Sequence, residues 1–446
     1  MSIFSTLVNA WKTADLKKKI VFTFGIFILF RIGCQLPVPF LNVEAIQNFF
    51  NPQVGGSMTE SLLGYFNMLS GNALAQGTVF ALTVQPYINA SIIIQLLTVA
   101  IPYFERLQKD GGEEGKQKIK RITRWVTIGI ALIQSYGYYT ILRYQAKALL
   151  YDPSTNPLAG YMSMALIILL LVAGSCLVMW LGESIDEHGI GNGISMILFA
   201  SIVSRGIDLL YYCIALCSGA ANKNGTSEWW IVLIIVLMGL LMVTFIVFMD
   251  GAERRIPIQY AKRQVGRKMY GGQNTFLPIK VAMTGVMPII FTFAIVGVPA
   301  TIAQFLGESN GFYQFVKNYF SQTSPAYIIL SFILIIAFNY FYIAIQYNPV
   351  EISNNIKNNG GTIPGIRPGK PTSDFIVKSL NKVTLFGALF LGVIAIVPFI
   401  LQIIFPQAQG LAIGGTSIMI LVSVALETVK KMESQMLMRH YKGFLE

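Results

Sequence analysis

The chain has 446 residues, 54% of them hydrophobic and 12% charged, with a mean hydropathy of +0.60. That charged share is about half of what a soluble domain carries, and with repeated apolar runs it excludes a soluble protein and points to a polytopic membrane protein. Two histidines, His188 and His440, and four cysteines with neither metal-ligand nor disulfide-framework spacing leave little material for a metal centre, a catalytic histidine or a disulfide scaffold.

Lys17, Lys18 and Lys19 precede the first apolar run, and no small-residue cleavage site follows it, so this run is expected to remain as a span. Segments suited to crossing about 30 Å of hydrocarbon fall near residues 20–37, 77–101, 124–144, 160–181, 191–214, 229–249, 281–304, 327–346, 383–404 and 411–428. Ten crossings put both termini on one side.

Lysine and arginine say which side. Four lie in the N-terminal segment, seven between Arg106 and Arg124, seven between Asp250 and Lys280, five after the eighth span and four in the C-terminal tail. The opposite face holds only Arg143, Lys147, Arg205, Lys223 and Lys317, with Arg31 left in the first span. By the positive-inside rule the basic face and both termini are cytoplasmic. Contact with anionic lipids accounts for some of this charge. It does not account for the length of the loops at 250–280 and 347–382, since long loops between spans add ordering cost without burying apolar area.

Within the spans ionisable residues are scarce: Arg31, Asp208 and Glu427 all lie near span ends. An ion-coupled relay has little to work with, whereas a hydrophobic constriction can exclude water and still dilate. The segment Ser70 to Leu97 brings Gln85, Asn89, Ser91 and Gln95 into a span, with Pro86 at its centre, where a bend is expected. Its polar residues serve either as glue between helices or as the lining of a wet cavity. Just before it, Met58 to Gly77 is too polar to span alone yet contains Leu62, Leu63, Gly64, Tyr65 and Phe66, the pattern of a short helix re-entering from outside. Gly189-Ile190-Gly191-Asn192-Gly193 lacks the strand and the Lys-Ser/Thr of a phosphate loop, and a tight turn opening the fifth span is expected instead.

Six motifs in this order carry a resemblance to the SecY family, the central subunits of protein-conducting channels. They are Phe30-Arg31-Ile32-Gly33, the run from Pro86 to Leu97, Gly189 to Ser195, Tyr260-Ala261-Lys262-Arg263-Gln264, Pro364-Gly365-Ile366-Arg367-Pro368-Gly369 and Gly414-Gly415-Thr416-Ser417. The resemblance covers residues 17 to 440. It implies an all-α polytopic membrane protein of ten transmembrane helices in two pseudo-symmetric inverted halves of five, 1–220 and 221–446, with a short re-entrant plug helix. By motif position the waist of the pore would be ringed by Val84, Ile88, Ile194, Leu198, Ile290 and Ile420, with Val84 and Leu198 departing from the commoner isoleucines. The plug would fall at 60–74, with Leu62, Leu63, Tyr65, Phe66, Asn67 and Gly71. A lateral gate would open between spans two and three and spans seven and eight, lined by Asn89, Ser91 and Gln95.

The same resemblance implies docking of the SecA motor ATPase or the ribosome, through its RNA phosphates, on Arg254, Arg255, Lys262, Arg263, Arg267, Lys268 and Arg367. Gly115-Lys116-Gln117-Lys118 stands where the family often has paired arginines, keeping charge but not a bidentate contact. Partners would include SecE-like and SecG-like small membrane subunits, signal peptides and nascent polypeptides, with the bacterial plasma membrane as the location. No catalytic centre, cofactor or metal is implied. Two other readings are an accessory paralogue for special substrates, against which the complete loops argue, and a secondary transporter, which would need a solute site at mid-membrane. A membrane-embedded enzyme would need a catalytic pair within the spans, and none can be assembled.

Overall fold

A computed structural model describes residues 10–50, 67, 70–109, 111–153, 156–218, 229–260, 263–265, 268–270, 274–306, 310–321, 324–404 and 415–442. Helices α1 (Ala14–Gly33) and α2 (Val43–Phe50) come first, and a series of turns over residues 70–84 leads into α3 (Gln85–Ala100). Then follow α4 (Pro102–Lys109), α5 (Gly112–Tyr144) and α6 (Pro157–His188). Helices α7 (Gly193–Ser204) and α8 (Gly206–Cys217) divide the fifth expected span, and α9 (Trp229–Gly251) is the sixth. Helix starts follow local chemistry. The Asn192 side chain accepts from the Ser195 amide at 3.3 Å and caps α7, while Pro157 and Pro325 open α6 and α12 where a missing amide proton costs nothing.

Between α9 and α10 (Met287–Leu306) the basic loop folds into strands β1 (Glu253–Tyr260), β2 (Arg263–Val265), β3 (Lys268–Tyr270) and β4 (Asn274–Lys280). Helix α11 (Gly311–Tyr319), α12 (Pro325–Gln346), α13 (Pro349–Asn358), strand β5 (Gly361–Thr362), α14 (Lys370–Ile404) and α15 (Gly415–Lys442) complete the chain. Each of the ten expected segments contains helix. By length and composition alone, four described stretches are able to cross a membrane: Pro157–His188, Trp229–Gly251, Pro325–Asn358 and Lys370–Leu401, with a fifth if the bent pair at residue 101 counts as one span. The surface of α9 suits lipid: Leu233, Leu237, Leu240 and Phe248 are exposed, and Ile231, Met242 and Ile246 turn inward.

Four packed clusters organise the interior. One, around Leu142, Ile167 and Leu171, binds α5 and α6 to the outer loops of the first half. A second, around Phe293, Tyr327 and Leu391, binds α10, α12 and α14. A third sits under the β-strands, and a fourth is shared by both halves. Asn339, 1% exposed, ties the second half together: its amide donates to the Thr384 carbonyl at 3.0 Å, and its oxygen accepts from the Thr284 hydroxyl at 2.5 Å. In the first half Glu183 is buried and accepts Arg124 at 2.7 and 2.9 Å, joining α5 to α6 in a two-pronged pair.

Three expectations about the spans need correction. The second helix starts at Gln85, so Pro86 lies in its first turn and bends nothing; the 103° bend falls at the break before Pro102. Residues 70–84 are turns held by their own polar groups, because Ser70, Asn72 and Thr78 offer the backbone bonds that compete with a helix. The fifth span breaks at Arg205, whose amide closes a tight turn on the Ile202 carbonyl.

Gly193 opens α7 directly against α6, and a Cβ there would lie 1.8 Å from the Gly182 carbonyl oxygen, whereas one at Gly206 would meet nothing within 4 Å. Gly193→Ala is therefore expected to destabilise the detergent-solubilised protein by about 1–3 kcal/mol, and Gly206→Ala to be neutral or mildly stabilising. Thermal unfolding of the two variants checks the contrast.

Candidate functional site

Val84 and Ile88 stand one turn apart at the start of α3, and Ile194 and Leu198 one turn apart on α7. An i, i+4 pair faces one way from a helix, so each helix presents two branched apolar side chains to the same place. Ile290 of α10 and Ile420 of α15 reach it from the second half. All six lie in the single cluster that the two halves share. Val84, Ile88, Leu198 and Ile420 are buried, and Ile194 and Ile290 are partly so. Phe291 and Phe338 close the same cluster on the second-half side, ring against ring edge at 6.2 Å. Its side chains are aliphatic, aromatic or thioether, so it offers no fixed charge to an ion.

Of the plug candidates, Leu62, Leu63, Tyr65 and Phe66 lie outside the described residues. Asn67 and Gly71 are described, and Asn67 is the hub of the turns that follow. Its side-chain oxygen accepts from the Ala75 amide at 2.9 Å, its amide donates to the Asn72 oxygen at 3.0 Å, and its carbonyl takes the Ser70 hydroxyl at 2.9 Å. Tyr138 of α5 donates to the Leu74 carbonyl at 2.6 Å. Gly71 is buried in the left-handed region, at φ +62°. Arg31 donates to the Ser204 hydroxyl at 2.8 Å and to the Gly71 carbonyl at 3.5 Å. An arginine at depth costs about 3 kcal/mol by insertion scales unless it is partnered. Here its partners join three elements.

Of the gate candidates, Gln95 makes the cross-half contact. The Tyr342 hydroxyl of α12 donates to its side-chain oxygen at 2.7 Å, while its amide donates to Ser91 at 3.3 Å. Tyr342 also stacks obliquely on Phe291, with ring centroids 4.9 Å apart. Asn89 is half-buried one turn before. Sequence reasoning missed Tyr342 and Ser204. The available signal was a phenol and a hydroxyl inside apolar runs, each of which needs a partner in hydrocarbon.

On the cytoplasmic side β1 lies between β4 and β5 in one antiparallel sheet, so the two long loops are joined. Alternation explains β1: Ile256 and Ile258 point into a core with Ile279, Ile356, Ile376 and Leu380, while Arg255, Pro257 and Gln259 face out. Arg254 and Arg255 are exposed, and Arg255 pairs with Glu253 at 2.6 Å. Arg263 and Lys268 lie in the β2–β3 hairpin, paired with Tyr270 and Val265; Lys262 and Arg267 lie outside the described residues. Arg367 is exposed on a tip whose backbone is pinned. Its carbonyl accepts the Thr372 hydroxyl at 2.8 Å, and Ser353 holds the Gly369 carbonyl at 2.9 Å. Among the described residues no group of three or more His, Cys, Asp or Glu is placed to hold a metal ion.

Comparison with known proteins gives concordant matches. The fold resembles a solved protein-conducting channel, with a TM-score of 0.65 and 17% identity, covering 94% of this chain and 92% of that one. It also resembles Sec61 in the canine ribosome–channel complex from the endoplasmic reticulum, with a TM-score of 0.63 and 16% identity, covering 94% and 92%. Relatives described as protein translocase subunit SecY include those of Streptomyces galbus, 41% identical over 99% of this chain and 100% of the relative, and Corynebacterium glutamicum, 39% identical with the same coverage. The SecY family profile matches residues 78–429. A match of that length, with relatives aligned from end to end, shows that the chain belongs to the SecY family.

Proposed function

We propose that this chain is the protein-conducting channel through which unfolded polypeptides cross the membrane, with transmembrane segments released sideways into lipid. The observation that carries the reading is the shared apolar cluster, in which Val84, Ile88, Ile194, Leu198, Ile290 and Ile420 meet from both halves. A passing polypeptide needs a waist that moulds around it yet denies ions a charged or polar site, and branched apolar side chains meet both needs. In this reading 1–220 and 221–446 are the two jaws, residues 60–74 the plug, and Gln95 with Tyr342 a clasp on the seam where a signal helix leaves. No bond-breaking step is assigned to the chain, so the work comes from a partner.

The joined β-platform is assigned to that partner, either a SecA-type motor ATPase or a translating ribosome, whose RNA phosphates attract exposed arginines. The likeness to channels solved with ribosomes, Sec61 from dog and the Ssh1 complex from yeast, supports it. Small SecE-like and SecG-like subunits, a plasma-membrane location and cytoplasmic termini complete the proposal, the last supported by the one-sided charge.

Three outcomes follow from this reading. Deletion of residues 60–66 is expected to leave an assembled channel with raised ion conductance in planar bilayers; unchanged conductance contradicts the plug assignment. Arg367→Glu is expected to abolish motor-driven secretion while membrane insertion falls less, measured in parallel with one substrate of each kind; equal loss would mark the residue as structural. Tyr342→Phe removes one hydrogen bond across the seam, worth about 1 kcal/mol, and is expected to improve export of proteins with weakened signal sequences several-fold. Export of such proteins at the wild-type level would remove Gln95–Tyr342 from the gate.

A further inference from the structure

Arg31 makes contacts that reach beyond its own span. It leaves α1 near its outer end and donates to the Ser204 hydroxyl at 2.8 Å and the Gly71 carbonyl at 3.5 Å. Ser204 is the last residue of α7, and its hydroxyl in turn donates to the Ser201 carbonyl at 2.7 Å. The break at Arg205 ends α7 inside the expected span, so its final carbonyls, which carry the negative end of the helix dipole, are presented to a cation. The guanidinium supplies that cation.

The other partner is the stem that follows the plug candidates. Gly71 and Asn72 are both left-handed, at φ +62° and +74°, which turns the stem sharply and brings the Gly71 backbone onto α7. A Cβ on Gly71 would lie 3.0 Å from both the Ser201 carbonyl oxygen and the Ser204 hydroxyl. The stem is otherwise held by its own network through Asn67 and by Tyr138, so its seat on α7 depends on this one contact region. Helix α7 also carries Ile194 and Leu198, two of the six ring candidates.

From this junction we propose that Arg31 is a positioning residue that locks the plug stem to α7, so that the ring and the plug are released together. Dilating the ring moves α7, which draws Ser204 away from Arg31 and frees the Gly71 carbonyl. While the lock is closed, the plug and the apolar ring seal as one unit. The inference rests on the channel reading above and adds to it the residue that couples the two seals.

The test uses the full-length chain purified with its membrane subunits and reconstituted in planar bilayers without a motor or ribosome. Arg31→Gln is expected to raise spontaneous open probability by about ten-fold or more, the change that follows loss of one charge-assisted bond. Ser204→Ala, which removes only a hydroxyl and stays foldable, is expected to raise it several-fold, and Arg31→Lys to fall between wild type and Arg31→Gln. The double variant Arg31→Gln, Ser204→Ala should open no more often than Arg31→Gln alone, because both act on one bond. Combining Arg31→Gln with deletion of residues 60–66 should add nothing to the leak of the deletion. If the deletion leaks while Arg31→Gln and Ser204→Ala conduct like wild type, the lock is overturned and the channel reading stands. If the deletion does not leak either, both fall. Additive effects of Arg31→Gln and the deletion would also overturn it, by separating Arg31 from the plug.

Discussion

Six branched apolar side chains from four helices converge on one place between the two halves of the molecule, and most of the architecture serves that convergence. They must pack closely enough to exclude water, yet they must also separate without breaking anything costly. Apolar contacts suit this because they are non-directional and individually weak. A ring of hydrogen-bonded or ion-paired side chains would seal as well, but opening it would strand polar groups in a poorly solvated waist. The polar bonds of the structure lie elsewhere: Arg124 with Glu183, Asn339 with Thr284 and Thr384, and Gln95 with Tyr342. The first two hold elements within one half. The third crosses the seam, where a single neutral bond is modest enough to give way.

The cytoplasmic side follows a different logic. Two loops far apart in sequence share one sheet, and their isoleucines make a small core with α13 and α14. Force applied to the exposed arginines therefore reaches α14 through packed backbone rather than through a flexible linker. At its inner end α15 bridges the halves again: Lys431 donates to the Gly191 carbonyl at 2.8 Å, and Lys430 pairs with Asp250 at the end of α9. The basic residues that orient the chain in the membrane thus also tie its platform to its helices.

Much of this was legible from residue order. Long apolar runs located α6, α9, α12 and α14, because a lipid-facing helix needs apolar residues on nearly every face. Ile88, Ile194 and Ile420 stood at motif positions that folding brings together. What could not be read was anything decided by contacts distant in sequence. Pro86 looked like a kink because its run seemed helical from residue 77, but Asn67, Ser70 and Thr78 draw the backbone into turns and leave Pro86 in a first turn. The loop at 250–280 showed its charge openly, yet the alternation in Ile256-Pro257-Ile258 spans too few residues to announce a strand until β4 and β5 lie beside it. Arg31 looked like a stray charge at a span end, since Ser204 is 173 positions away.

The central claim is that the shared apolar cluster is the waist through which a polypeptide passes. Its most direct measurement is site-specific crosslinking, with a single cysteine placed in turn at Val84, Ile88, Ile194, Leu198, Ile290 and Ile420 and a translocating polypeptide stalled midway. All six should crosslink to the stalled chain, while a cysteine at the lipid-facing Leu240 should not. Crosslinks absent from the six, or equally strong at Leu240, would place the path outside the cluster and contradict the account.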